Sequence, residues 1–188
     1  QVQESGEIKS TGSGNIVVKG TGATGTCPTS STFCSYHGIA ILYNAQIGSF
    51  GTGKIDITGQ GGSANGRESH GILIDVVDVR GGTSAKIISA KGDINVIANG
   101  GVDTTNTQVG GSGIYLIYGG SIEAQNNANI TVTGNGGPRE RETHGVFFEG
   151  NGRINGGRKS KITSVNGNIT LTGTGSATGV SGDTAGID

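Results

Sequence analysis

Five segments of nearly the same sequence recur along this chain, and their spacing leaves few folds open. Ile16-Val-Val-Lys-Gly20, Ile55-Asp-Ile-Thr-Gly59, Ile94-Asn-Val-Ile-Ala98, Ile130-Thr-Val-Thr-Gly134 and Ile169-Thr-Leu-Thr-Gly173 begin 39, 39, 36 and 39 residues apart. Two positions after each Ile an apolar residue returns, at Val18, Ile57, Val96, Val132 and Leu171. The residues between are Val17, Asp56, Asn95, Thr131 and Thr170. An apolar residue at every second position is the period of a strand with one buried face. Each copy ends in a small residue and continues to a glycine row at Gly22, Gly61, Gly100, Gly136 and Gly175. Such glycines are expected at turns with positive φ, or where backbone approaches backbone.

Two further rows keep the same period. Gly38, Gly71, Gly113 and Gly145 each precede an alternating pair: Ile39 and Ile41, Ile72 and Ile74, Ile114 and Leu116, Val146 and Phe148. Ahead of each first-row copy stand Ile8, Ile47, Ile87, Ile122 and Ile162, followed two residues later by Ser10, Ser49, Ser89, Ala124 and Ser164. Each period therefore holds three short strands. Stacking them with like residues in ladders makes an all-β fold, a parallel β-helix of about five coils with a period of 36–39 residues. The general rule for parallel crossovers predicts a right-handed helix. The whole chain, 1–188, reads as a single β-solenoid segment without recognisable end caps.

A longer alternation overlies the coils. Residues 79–87 resemble 154–162, and Arg67-Glu-Ser-His-Gly71 resembles Arg141-Glu-Thr-His-Gly145, about 75 residues on. The segment from Gly22 to Gly38 is the longest of the connections between the first and second strands, and long loops on one edge are where recognition is usually placed.

Composition narrows the functional classes. With 39 glycines, 31% hydrophobic residues, no Trp and no Met, a layered core is not available, and without the repeat such a chain would read as disordered. A net charge of -1 offers no basic stripe for nucleic acid. No stretch approaches the roughly 20 apolar residues of a membrane helix, so no membrane insertion is expected. The opening at Gln1 fits either a removed signal peptide or an excerpt from a longer protein. Cys27 and Cys34 lie seven apart, a spacing suited to a disulfide that closes a small loop, hence an oxidising, extracytoplasmic setting. Two reduced loop thiols are the alternative.

The segments Gly167-Asn-Ile-Thr-Leu-Thr-Gly-Thr-Gly175, His144-Gly-Val-Phe-Phe148 and Lys161-Ile-Thr-Ser-Val-Asn-Gly-Asn-Ile169 resemble the repeats of filamentous-haemagglutinin-like exoproteins. These are large secreted bacterial β-solenoids, many exported by two-partner secretion. The resemblance spans essentially all 188 residues and is specific for architecture rather than ligand. It implies a non-enzymatic structural or adhesive fibre component at the bacterial cell surface. It also implies no cofactor, and partners that are copies of the chain or flanking repeats, with glycan or a surface protein as further candidates.

Other chemistries find less support among the residues. A carbohydrate-active β-helix enzyme would need carboxylates converging on one outer face. The best cluster is Asp75, Asp78 and Arg80, but Leu42, Ile117 and Glu149 occupy the positions equivalent to Asp75. His37, His70 and His144 each precede a second-row glycine and could form a metal ladder, although Ser112 interrupts it. Gly20-Thr-Gly-Ala-Thr-Gly25 matches a dinucleotide fingerprint but lacks the following helix. The threonine row Thr58, Thr133 and Thr172, which would suit an ice-binding array, is broken by Lys19 and Ile97.

The outward second-row residues Ala40, Leu73, Tyr115 and Phe147 form an apolar line. It is either a lateral contact stripe or a face covered by the long loops with Tyr36 or Phe33, and the second is the expectation. End-to-end contacts are expected at Ile8, Ile16, Ile169 and Ile187, because joining Asp188 to Gln1 nearly preserves the register.

Overall fold

A computed structural model describes residues 1–25, 35–64, 69–75, 84–103, 111–138, 143–150, 159–176 and 185–188. Among them the secondary structure is strand and turn, with no helix. Strands β1 (Glu7–Ser10), β5 (Gln46–Ser49), β9 (Lys86–Ser89), β13 (Ser121–Ala124) and β16 (Lys161–Ser164) form the first parallel sheet. The second contains β2 (Ile16–Thr21), β6 (Ile55–Gln60), β10 (Ile94–Asn99), β14 (Ile130–Asn135) and β17 (Ile169–Thr174). The third contains β4 (Ile39–Leu42), β8 (Ile72–Asp75), β12 (Ile114–Ile117) and β15 (Val146–Glu149). Every strand pairs with its sequence equivalent one period away, as in Ile55↔Ile94↔Ile130 and Ile47↔Ile87. The chain is a parallel β-solenoid.

Two features differ from the sequence expectation. A fourth strand, two residues long, follows the glycine row: β3 (Thr24–Gly25), β7 (Ser63–Ala64) and β11 (Val102–Asp103) stack into a short sheet of their own. Its periodicity is too brief to register as an alternating pattern. The expected five coils also become about three complete turns. Among the described residues only β1–β4, β5–β8 and β9–β12 carry all four strands. Among the described residues the fourth turn has β13, β14 and β15, and the fifth has β16 and β17 with Ile187 bridging Val146. Five tiers exist in two sheets, but a turn is complete only where every side of the coil pairs.

Inward side chains stack as ladders of Ile, Val and Leu, with Ile47, Ile55, Ile74, Ile87, Ile94, Ile114, Ile122 and Ile130 buried in one continuous core. The serine row closes the corner between the first and second sheets. Ser49 Oγ donates to the Gly53 carbonyl at 2.7 Å, and Ser10 Oγ donates to that of Gly14 at 2.9 Å. A buried hydroxyl that satisfies a turn carbonyl avoids the penalty of an orphaned acceptor.

Close approach, not positive φ, explains the glycine row after the second sheet. A Cβ built on Gly61 would overlap the carbonyl oxygen of Ser69 and the amide of Gly101, and neither Gly61 nor Gly100 has positive φ. Positive φ occurs elsewhere, as on Tyr43 (55°) and Tyr118 (53°), where the chain turns from the third sheet into the first, and on Asn126 (55°), between the first and second sheets. Of the dinucleotide-like glycines, Gly20 lies in β2 and Gly25 in β3, with Gly22 in the link between these strands.

Candidate functional site

The solenoid presents two outer surfaces with chemistry, and the first lies along the entry to the third sheet. His37, His70, Ser112 and His144 occupy equivalent places in successive turns, each directly before its second-row glycine. His37 and His70 stack face to face, with ring centroids 5.1 Å apart and planes 3° from parallel. His70 meets Tyr115 edge-on at 4.6 Å, Tyr115 stacks on Phe147 at 5.0 Å, and His144 stacks on Phe147 at 4.5 Å. Five rings that the sequence places in two separate rows thus form one aromatic band.

Each imidazole also holds the backbone of the next turn. His37 Nδ1 accepts the amide of His70 at 3.2 Å, His70 Nδ1 that of Ser112 at 3.0 Å, and His144 Nδ1 that of Ala185 at 3.3 Å. Acceptance at Nδ1 places the proton of a neutral ring on Nε2. Burial lowers the His37 pKa from 6.5 to about 4. Burial, with the nearby His37 and His144, holds His70 well below 6.5. Among the described residues no three His, Cys, Asp or Glu side chains converge on a point where a metal ion could sit.

The apolar line divides in two. Ala40 and Leu73 are buried, forming a small second cluster with Ile117 against which Leu42, Tyr115 and Tyr118 pack. Tyr115 and Phe147 are half-buried, and the Tyr115 hydroxyl donates to the Glu149 carboxylate. Tyr36 does not lie over this line: its phenol comes within 3.5 Å of where a Gly25 side chain would begin, beside the short sheet. Phe33 lies outside the described residues, as do Asp78, Arg80, Cys27, Cys34 and parts of the segments that carry the longer alternation.

Asp75 is buried at the end of β8. It lines an open cleft of about 320 Å³ with Gln1, Ser35, His37 and Tyr43 above an apolar floor of Ala40, Leu42 and Leu73.

The second surface is polar and crosses the outer face of the second sheet. A ladder of side chains enters each strand: Asn15 Oδ1 accepts the Lys54 amide at 2.9 Å, Asp93 Oδ1 accepts that of Asn129 at 3.0 Å, and Asn129 Oδ1 accepts that of Asn168 at 2.9 Å. Lys54 Nζ lies 3.5 Å from Asp93 Oδ2. The Asn129 amide, first, and Lys54 hold the Asp93 carboxyl below its usual range. Asn129 and Asn168, both of which open an Asn-Ile-Thr motif, are therefore rungs of this ladder. Repeated side-chain acceptors of this kind do not show as hydrophobic periodicity; the signal was the recurrence of Asn or Asp directly before the first-row Ile, at Asn15, Asp93, Asn129 and Asn168.

The fold and these two surfaces define a repeat protein of the parallel β-solenoid class. Compared with protein families, curated proteins and solved structures, the chain has no match.

Proposed function

We propose that the chain is a non-enzymatic building element of an extracellular fibre, at a bacterial cell surface. Its rungs would continue past both edges, through copies stacked head to tail or through flanking repeats of the same period. The supporting observation is the state of the ladders at the edges. Ile130, inside, is 0% exposed, whereas its ladder partner Ile169 on the edge strand is 45% exposed and Ile187 is 47% exposed. On the opposite edge Val2 bridges Ile41, the same 39-residue offset that pairs Ile8 with Ile47. The period thus runs out to both faces, and a further tier would cover Ile8 on one and Ile169 and Ile187 on the other, while Ile16, 7% exposed, is already buried. A contact between two different faces does not close on itself and generates an open filament.

Electron microscopy at increasing concentration tests the stacking. Five tiers at about 4.8 Å each give an expected filament rise of about 24 Å. Particles that remain single solenoids at every concentration would refute self-stacking. The extracellular setting rests on the spacing of Cys27 and Cys34. Alkylation without reductant, followed by mass spectrometry, should label neither cysteine, and labelling of both would remove the support for an oxidising compartment.

Within the fibre, Tyr115 and Phe147 are the residues we assign to lateral contact, since Ala40 and Leu73 beside them are already buried. A glycan-binding role is the second reading. The cleft that gathers Tyr43, His37 and Asp75 over an apolar floor favours it, because a few polar groups above apolar surface is the usual form of a small-molecule site. Titration with mixed oligosaccharides, followed through tyrosine fluorescence, checks that reading, and an unchanged signal removes it.

A further inference from the structure

In a parallel solenoid the backbone amides pass their hydrogens to carbonyls of the neighbouring tier. Before second-row glycines, as before several first-row isoleucines, this chain uses side chains instead. The amides of His70, Ser112 and Ala185 are accepted by the Nδ1 atoms of His37, His70 and His144. Donors and acceptors all sit directly before second-row glycines, Gly186 being the last of that row, so the bonds lie on one column along the solenoid axis, interrupted where Ser112 replaces histidine. An imidazole accepts at Nδ1 only while that nitrogen carries no proton. Charging the ring sets a hydrogen against the amide hydrogen already pointing there, and an attraction becomes a clash of two donors.

We propose that this column is an acid-operated latch between turns: neutral imidazoles join consecutive tiers where the chain enters the third sheet, and protonation releases them. At His70 the geometry leaves no second arrangement for a charged ring. His70 is 2% exposed, and its Nε2 has no hydrogen-bond partner among the described residues. Its faces are taken by His37 in parallel stack and by the edge contact with Tyr115. Two charged rings at 5.1 Å would repel across that stack.

The titratable groups around the column, among the described residues, are few. Tyr115 is bonded to Glu149, Asp75 lines the cleft that also contains His37, and Asp188 Oδ2 lies 3.9 Å from His144 Nδ1 at the far end. Burial first, then His37 and His144, act on His70, all unfavourably to its charge.

The sign follows from linkage. The folded chain keeps His37 and His70 neutral where the unfolded chain binds protons, so their contribution is whole above pH 6.5 and falls as pH drops toward about 4. The loss amounts to about tenfold in the folded-to-unfolded ratio per pH unit for each histidine.

The test compares thermal unfolding of the chain and of a His37→Asn, His70→Asn variant, followed by circular dichroism between pH 7 and about 4.5. Asn Oδ1 stands near the place of Nδ1, can accept the same amide and does not titrate. The midpoint of the unsubstituted chain should fall across this window, and that of the variant should fall much less. Equal slopes, or a flat profile for the unsubstituted chain, would overturn the latch. Nitrogen-15 spectra of the imidazoles in the unsubstituted chain supply a readout that does not depend on the variant folding. At pH 5 the latch requires His70 as the neutral Nε2–H form, and an imidazolium signature there would overturn it equally.

Discussion

Replacing Ile94 by aspartate is expected to abolish the cooperative thermal transition. Ile94 lies at the middle of the second sheet, paired with Ile55 on one side and Ile130 on the other, and is 1% exposed. Both ladder neighbours are themselves fully buried isoleucines, so a carboxylate there would have no water and no cation. Losing the buried side chain costs about 2–5 kcal/mol, and burying an uncompensated charge adds more, together comparable to the whole stability of a small domain.

The architecture magnifies the damage, because each tier touches only its neighbours. A break at the third tier leaves two tiers on either side, fewer than the roughly three repeats a solenoid needs. Ile94→Val, which removes one methyl group and keeps the ladder, should cost only about 1 kcal/mol. A melting curve for Ile94→Asp that matches the parent would refute the ladder assignment.

The second large effect needs only a methyl group. Gly100→Ala is expected to destabilise the fold by about 4 kcal/mol or more, whereas Ala98→Gly, two residues away, should cost about 1 kcal/mol. A Cβ on Gly100 would overlap the Gly111 carbonyl and lie 2.5 Å from the Gly137 amide nitrogen. Both are backbone groups, and Gly100 and Gly137 each donate hydrogen bonds that fix their positions. Ala98 shows that the neighbouring row can admit a methyl group, since it is fully buried where Gly59 and Gly134 stand in adjacent tiers. Urea denaturation of the two variants checks the contrast, and equal losses would mean that the glycine rows are interchangeable.

Much of this was legible from Ile, Val and Gly alone. The strand positions, their registers and their parallel stacking follow from a repeat in which the same residue returns at the same phase, because like side chains stack best on like when strands align in register. The first-row ladder from Ile16 to Ile169 pairs as its spacing predicts, through the shorter 36-residue interval as well. The short interval changes the loop and not the strand, so the register survives it.

Other features depended on the chain being wound. Two-residue strands such as Thr24–Gly25 have too little pattern to be read before their neighbours exist. The count of complete turns required knowing which sides of each coil pair. The chemistry of His37, His70 and His144 was the least legible: from sequence they were a metal ladder interrupted at Ser112, and folded they accept backbone amides and stack with Tyr115 and Phe147. Sequence by itself determined which residues lie above one another, since periodicity is a property of the chain. Only the tertiary structure decided what each row faces across the coil, because those distances are set by how tightly the turns close and are written in no single repeat.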